Sequence, residues 1–172
     1  TFICLSLEKS RKQTKEKLKR TICHLSLNKS ISGENMSEKL LSRAKLVENF
    51  RIDVDDGRAH SICLDLQPDL GADMGPSALE LCVMSYAGCI ATIFALVAKN
   101  SRVTVQDLEV KVEATKPEEE GTITEVNCDV SAKTNAPEDK VQRIFNLTIK
   151  TCPVGRIFDK ARIKTNCKLK IL

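Results

Sequence analysis

The chain has 172 residues, of which 42% are hydrophobic and 29% charged, and its formal net charge is +4. This balance provides enough apolar surface for a packed core and excludes a wholly disordered chain. Aromatic residues make up only 3% and there is no Trp, which excludes a nucleic-acid platform built on several base-stacking rings.

The first 35 residues carry the positive charge of the chain. They contain eight Lys or Arg and three Asp or Glu, so residues 36–172 are close to neutral. No basic surface for nucleic acid is therefore expected on the remainder. LSLEKS and LSLNKS repeat twenty residues apart, too few copies for a solenoid. We predict a disordered or non-native basic leader at residues 1–35, with a transit peptide as the alternative, and one domain at residues 36–172.

Two strands are predicted at the start of this domain, at Arg43–Val54 and His60–Leu66. The Asp-Asp-Gly sequence at residues 55–57 is typical of a turn between them. In the second segment the apolar residues Ile62 and Leu64 alternate with other residues, which indicates a half-buried strand.

A long apolar helix follows, and Pro76 is suited to its first turn. Residues 81–98 contain no charged side chain, which is just long enough for a membrane span. Ser85, Gly88 and Thr92 interrupt the apolar run, however, and nothing else in the chain is typical of a membrane protein. We therefore predict a central core helix and no membrane partner.

The remaining elements are a hairpin, a helix and a last strand. Alternating apolar residues predict the hairpin strands Val103–Thr115 and Thr122–Thr134. A helix opens at Asn135-Ala136-Pro137, and its apolar stripe ends at Cys152; the last strand is Ile163–Leu172. The order β-β-α-β-β-α-β predicts an α+β domain in which sheets enclose one very apolar helix.

The eight cysteines are the main candidates for chemistry. No export signal is recognisable, so a reducing, cytoplasmic location is expected. Cys128 and Cys167 are in phase with apolar strand neighbours, which favours core positions, whereas Cys63 is out of phase and has no assigned role. Cys82 and Cys89 lie about 10.5 Å apart along the helix axis, too far for a disulfide within the helix.

No metal site or cofactor site is predicted. Cys4, Cys23 and His24 lack the paired spacing of zinc ligands. On their own, Cys89 and Cys152 could equally be small hydrophobic residues of the core.

Two segments together give a stronger signal. GPSALEL at residues 75–81 leads to Gly88-Cys89. TCPV at residues 151–154 contains Cys152, which lies 63 residues after Cys89. Together they resemble motifs of the OsmC/Ohr family, the osmotically induced and organic hydroperoxide resistance proteins. The order of the hairpin and helix between them is also similar, so the resemblance covers about residues 40–172.

The resemblance implies an intertwined homodimer with enclosed central helices and active sites across the interface. It implies that Cys89 is the peroxidatic thiol and Cys152 the resolving thiol. Family peroxidases place a Glu ten residues before the first cysteine, and here Glu80 lies nine before it. The family arginine stretch has no counterpart, and Arg51 is the best substitute, followed by Arg58.

We therefore expect a thiol peroxidase that reduces organic hydroperoxides and is reset by an external dithiol. A guanidinium would stabilise the reacting thiolate, and a Glu would orient that guanidinium. Two alternatives remain open. One is a non-enzymatic redox-responsive or small-molecule-binding protein on the same scaffold; the other is association with nucleic acid through the basic leader.

Overall fold

The computed structural model describes residues 37–172, so the predicted leader at residues 1–35 lies outside the described residues. Within the described range the chain forms two three-stranded sheets and three helices, which confirms the α+β prediction. The elements in chain order are β1 (Arg43–Glu48), β2 (Arg51–Asp55), β3 (Ser61–Leu64), α1 (Ala78–Asn100), β4 (Val105–Thr115), β5 (Glu125–Thr134), α2 (Glu138–Thr151), α3 (Pro153–Lys160) and β6 (Lys164–Ile171).

The prediction of a single strand at Arg43–Val54 is wrong, because this segment forms two strands. β1 and β2 are antiparallel and separated by a tight turn. Asn49 adopts a left-handed conformation there, with φ of 48°, which Asn tolerates better than most residues. The sequence gives no signal for this turn, because it contains neither Gly nor Pro and apolar residues flank it. β3 then pairs with β2, so the first sheet is an antiparallel meander.

α1 begins at a complete capping box. The side chain of Ser77 accepts a hydrogen bond from the Glu80 N–H, and the Glu80 carboxylate accepts one from the Ser77 N–H. These two bonds satisfy donors that the helix itself leaves free. The helix then runs for 23 residues.

One side of α1 is packed inside the chain. Tyr86, Ile90, Phe94 and Val97 recur at helical spacing and are all buried, and they face β4, α2 and α3. By length and composition this helix is also able to cross a membrane, and no other helix of residues 37–172 is. Its packing on one side is that of a core helix.

The second sheet combines antiparallel and parallel pairing. β4 and β5 form the predicted hairpin, with Val112 opposite Cys128. β6 lies parallel to β5 on its other side, with Cys167 opposite Cys128. A parallel neighbour requires a crossover connection, and α2 followed by α3 provides it.

The segment after Cys152 is helical, which the prediction of a short linking segment missed. Cys152 ends α2 and is also the N-cap of α3, so the chain changes direction at this residue. Pro153 occupies the first position of α3, where the missing N–H has no helical partner to lose.

The two sheets contribute unequally to the core of a single chain. β4, α2 and α3 pack on α1, whereas the β1–β3 sheet makes only sparse contact with that helix. The opposite side of α1 therefore stays open within one chain, with Met84 51% exposed.

Candidate functional site

The structure brings Cys89 and Cys152 together. Their sulfur atoms are 3.1 Å apart, and both residues are free thiols. Cys89 lies on the flank of α1, and Cys152 lies at the junction of α2 and α3. The sequence motifs that contain these residues thus meet in space, although 63 residues separate them.

Backbone groups of two helices hold Cys152 in place. Its N–H donates to the Thr148 carbonyl at 2.9 Å, as the end of α2. Its Sγ accepts from the Gly155 N–H at 3.4 Å, at the start of α3. With 1% exposure, the side chain is closed off from solvent. Redirecting this thiol would therefore disturb both helix ends.

Cys152 keeps its thiol proton at neutral pH. Burial raises the pKa of the Cys152 thiol, and its hydrogen bond to Cys89 raises it further, while the Gly155 N–H opposes both effects. The buried thiol consequently stays protonated at neutral pH and donates its S–H to Cys89 Sγ.

The approach to Cys89 is open along one side of α1. Cys89 is half-buried, and Gly88 beside it is exposed. A β-carbon added to Gly88 would meet no atom of the chain within 4 Å. A substrate or a second protein surface can therefore come close to the helix backbone next to the sulfur.

Tyr86 is buried in the core against α3. Its ring stacks on Phe158, with centroids 4.8 Å apart and planes inclined by 20°. On its other edge lies Gly155, where a β-carbon would come within 3.1 Å of Cε2 of the tyrosine. Glycine at this position is what lets α3 approach the ring.

Glu80 takes part in the helix cap, and the structure does not place it beside the thiols. Its carboxylate accepts from the Ser77 N–H at 2.7 Å, and this bond lowers the pKa of Glu80 below its usual value. Nine residues along a helix correspond to about 13.5 Å, which separates Glu80 from Cys89. Its predicted catalytic role stays a prediction.

The recorded contacts of Arg51 among residues 37–172 are likewise with other groups than the two thiols. Its Nη2 is 3.5 Å from Glu48 Oε2, and both side chains line a small cavity of about 150 Å³ with Asp65. Burial raises the pKa of Asp65, but three backbone N–H groups and the Arg51 guanidinium outweigh it and lower the pKa. Arg58 pairs with Asp56 at 2.7 Å in the exposed β2–β3 turn.

The sequence reasoning missed a cavity next to this site. About 400 Å³ in volume, it lies between α2, α3 and β6, and its lining residues are Tyr86, Phe145, Asn146, Ile149, Lys150, Gly155, Asp159, Thr165 and Cys167. Cys167 therefore reaches a cavity, unlike Cys128, which is buried as predicted. The alternation of apolar residues along β6 gave no signal for this difference.

Among residues 37–172, no cluster of three or more His, Cys, Asp or Glu side chains could hold a metal ion.

One protein family matches the sequence. The model of the OsmC family, described as OsmC-like protein, matches residues 71–168, a span that includes both cysteines of the pair. No curated protein matches the chain.

Several solved structures share the fold. An OsmC-like protein from Mycoplasma pneumoniae is 19% identical with a TM-score of 0.71, and the match covers 80% of this chain and 99% of that one. An organic hydroperoxide resistance protein from Legionella pneumophila is 16% identical with a TM-score of 0.56, covering 80% and 98%. OhrB, the organic hydroperoxide resistance protein of Bacillus subtilis, is 20% identical with a TM-score of 0.53, covering 78% and 98%.

Proposed function

Because the chain belongs to the family of OsmC-like proteins, we propose that it reduces organic hydroperoxides with Cys89 as the peroxidatic thiol and Cys152 as the resolving thiol. The observation that carries the proposal is the 3.1 Å separation of the two sulfur atoms, with the buried thiol as the donor. The fold shared with two organic hydroperoxide resistance proteins supports the substrate class.

In the first step the Cys89 thiolate attacks the terminal oxygen of the hydroperoxide. A sulfur–oxygen bond forms, the oxygen–oxygen bond breaks, and the alkoxide leaves and takes a proton from water to become an alcohol. The sulfur loses two electrons and becomes a sulfenic acid, while the peroxide is reduced. The open side of α1 at Gly88 gives the peroxide access.

In the second step Cys152 attacks the oxidised sulfur of Cys89. A disulfide forms and water leaves, which protects Cys89 from irreversible oxidation. The sulfur atoms need to approach by about 1 Å, from 3.1 Å to the disulfide length of about 2.05 Å. An external dithiol then reduces the disulfide by exchange, in a reducing, cytoplasmic setting that suits free thiols.

A homodimer is part of the proposal because each chain leaves apolar surface uncovered. Met84 is exposed on α1, and Leu46 and Phe50 are 60% and 49% exposed on the first sheet. Patches of this kind mark protein interfaces. A second copy whose β1–β3 sheet covers the open side of α1 would bury both patches and bring its own Arg51 toward Cys89.

The position of the arginine also favours a second candidate function. Within one chain Arg51 is engaged with Glu48, and no described contact joins it to Cys89. A thiol without a stabilising guanidinium reacts slowly with peroxide. The second candidate is therefore a redox-responsive or small-molecule-binding protein in which the same pair forms a disulfide without turnover.

A coupled assay of peroxide consumption separates the two. With cumene hydroperoxide and dithiothreitol, we expect turnover by the wild type and none by Cys89→Ser. Cys152→Ser should allow one stoichiometric oxidation and leave a sulfenic acid that dimedone traps. Cys82→Ser, one heptad earlier on the same helix and exposed, is the matched control and should keep full activity.

Two results would overturn the enzymatic proposal. One is equal activity of Cys89→Ser and the wild type. The other is a wild-type rate no higher than that of an equal concentration of free thiol, which would favour the redox-responsive protein.

A further inference from the structure

A second pair of thiols lies on the β-sheet beside the first site. Cys128 on β5 and Cys167 on β6 are directly opposite each other in parallel register, so both side chains lie on the same face of the sheet. Parallel strands are about 4.8 Å apart, and a disulfide tolerates Cα separations of about 4.4–6.8 Å. The two positions are therefore compatible with a covalent bond.

The two thiols differ in access. Cys128 is 1% exposed, whereas Cys167 is half-buried and lines the cavity of about 400 Å³. This volume is within the range of small-molecule sites. A molecule entering the cavity thus meets Cys167 first, with Cys128 as its neighbour on the adjacent strand.

The groups around Cys167 make it the better nucleophile of the two. Tyr86 Oη lies 3.7 Å from Cys167 Sγ, and because burial raises the pKa of Tyr86, its hydroxyl stays protonated and donates. The neighbouring Cys128 thiol and this hydroxyl lower the pKa of Cys167 to about 7, against burial and the Asp159 carboxylate, which raise it. The proximity of Cys167, together with burial, raises the pKa of Cys128.

This arrangement repeats that of Cys89 and Cys152. In each pair a buried thiol with a raised pKa lies beside a more accessible sulfur. Tyr86 lies beside both pairs, close to Cys152 through Gly155 and hydrogen-bonded to Cys167. The proposed peroxide chemistry uses neither Cys128 nor Cys167.

We propose that Cys167 and Cys128 form a second redox pair, which exchanges with a small zwitterionic disulfide bound in the cavity. The lining indicates the class of ligand. Lys150 and Asp159 supply one positive and one negative charge, which match the α-carboxylate and α-ammonium groups of an amino-acid disulfide. Phe145 and Ile149 provide apolar surface for its methylene groups.

The reaction is a two-step exchange. The Cys167 thiolate attacks one sulfur of the small disulfide, a mixed disulfide forms, and one small thiolate leaves and is protonated. Cys128 then gives up its proton and attacks the Cys167 sulfur, which releases the second small thiol and leaves a Cys128–Cys167 disulfide. The protein thiols lose two electrons and the small disulfide gains them.

The test uses the full chain carrying Cys89→Ser and Cys152→Ser, so that the first pair cannot contribute. Cystine is the probe, and peptide mapping without reductant locates the products. We expect a Cys128–Cys167 disulfide, with two cysteines released for each such disulfide formed. Adding Cys128→Ser should leave a cysteinyl group on Cys167, whereas adding Cys167→Ser should leave Cys128 unmodified.

The rate and the pH dependence of Cys167 modification distinguish a reactive thiol from one that only packs in the core. A thiol whose pKa is lower by one unit reacts about threefold faster at pH 7 after its weaker nucleophilicity is included, so Cys167 should exceed a free-thiol peptide by at least this factor. Tyr86→Phe should move the pH midpoint of Cys167 modification upward. Cystine should react faster than cystamine, which lacks the carboxylates, and Lys150→Ala should remove that difference.

The proposal is overturned if Cys128 is modified while Cys167 is not, or if Cys167 reacts no faster than the exposed Cys82. Equal rates with cystine and cystamine would overturn the assignment of the ligand class. None of these results depends on peroxide turnover, so failure here leaves the proposed function of Cys89 and Cys152 untouched.

Discussion

A β-carbon added to Gly155 would lie 3.1 Å from Cε2 of Tyr86, so the contact between α3 and this ring depends on the absence of a side chain. The same ring stacks on Phe158, and its hydroxyl oxygen lies 3.7 Å from Cys167 Sγ. Gly155 also gives its N–H to Cys152. One glycine thus contacts both the tyrosine and the buried thiol of the first pair.

Gly155→Ala should destabilise the protein by about 1–3 kcal/mol, the usual cost of overpacking a filled core. Both the ring and the start of α3 would have to shift to accommodate the methyl group. Urea unfolding monitored by circular dichroism gives the free energy of unfolding. Arg156→Ala, at the exposed next position of α3, should change it by no more than about 0.5 kcal/mol; equal effects of the two substitutions would contradict this prediction.

Removing the N-cap of α1 should also cost stability. Ser77→Ala takes away the acceptor of the Glu80 N–H and should lower the free energy of unfolding by about 0.5–2 kcal/mol at pH 7. Thermal or urea unfolding measures the loss. Ser77→Asp restores an acceptor and should recover most of it, and a Ser77→Asp protein as unstable as Ser77→Ala would show that the cap is not the cause.

The acidic part of the same cap predicts a dependence on pH. The pKa of Glu80 is lower in the folded protein than its usual value of 4.5, so its stabilising contribution is present above pH 4.5 and is lost as the pH falls below it. Glu80→Gln should therefore flatten the decline in stability between pH 5 and pH 3. Glu118→Gln, in the exposed turn after β4, is the charge-matched control and should leave that decline as in the wild type.

The two arginines can be separated by kinetics. If Arg51 stabilises the Cys89 thiolate in the proposed dimer, Arg51→Ala should slow the first oxidation about threefold, the effect of raising a thiol pKa by one unit once its higher nucleophilicity is included. Stopped-flow mixing with cumene hydroperoxide measures this step directly. Arg58→Ala should leave it unchanged because that side chain pairs with Asp56 in an exposed turn, and the reverse result would transfer the role to Arg58.

We expect a shortened chain beginning at Met36 to fold and form a dimer. The charge of residues 1–35 differs from that of the remainder, and the family match lies entirely at residues 71–168. Light scattering after size exclusion gives the mass in solution. Met84→Lys, on the open side of α1, should produce a monomer, and a shortened chain that is monomeric while the full chain is dimeric would contradict the prediction.

The sequence predicted those parts of the fold that depend on a regular apolar pattern. The hairpin of β4 and β5, the helix α1 and the buried Cys152 follow from alternation or helical spacing, because burial on one face imposes that period. The turn at Asn49 was missed because its left-handed conformation needs no Gly or Pro. α3 was missed because its eight residues are too few to establish a period of their own.

The candidate site was predictable only in part. The motif around each cysteine indicated that Cys89 and Cys152 belong together, whereas the geometry of their contact depends on the kink at Cys152, which no local pattern encodes. Glu80 forms part of the helix cap because it lies three residues after Ser77, the spacing of a capping box. The cavity beside Cys167 lies between three consecutive elements, α2, α3 and β6, and Tyr86 of α1, and it forms only when these pack together, so the pattern of no single element indicates it.

Both sulfur pairs are assembled by contacts between residues far apart in the chain. Cys89 and Cys152 meet only when the crossover of α2 and α3 has docked on α1, and Cys128 meets Cys167 only when β6 has joined β5. Contacts of such long sequence separation are slow to form. In a partly folded chain the partner thiols are therefore not yet close to each other. Contact between Cys89 and Cys152, or between Cys128 and Cys167, indicates that the chain has completed its folding.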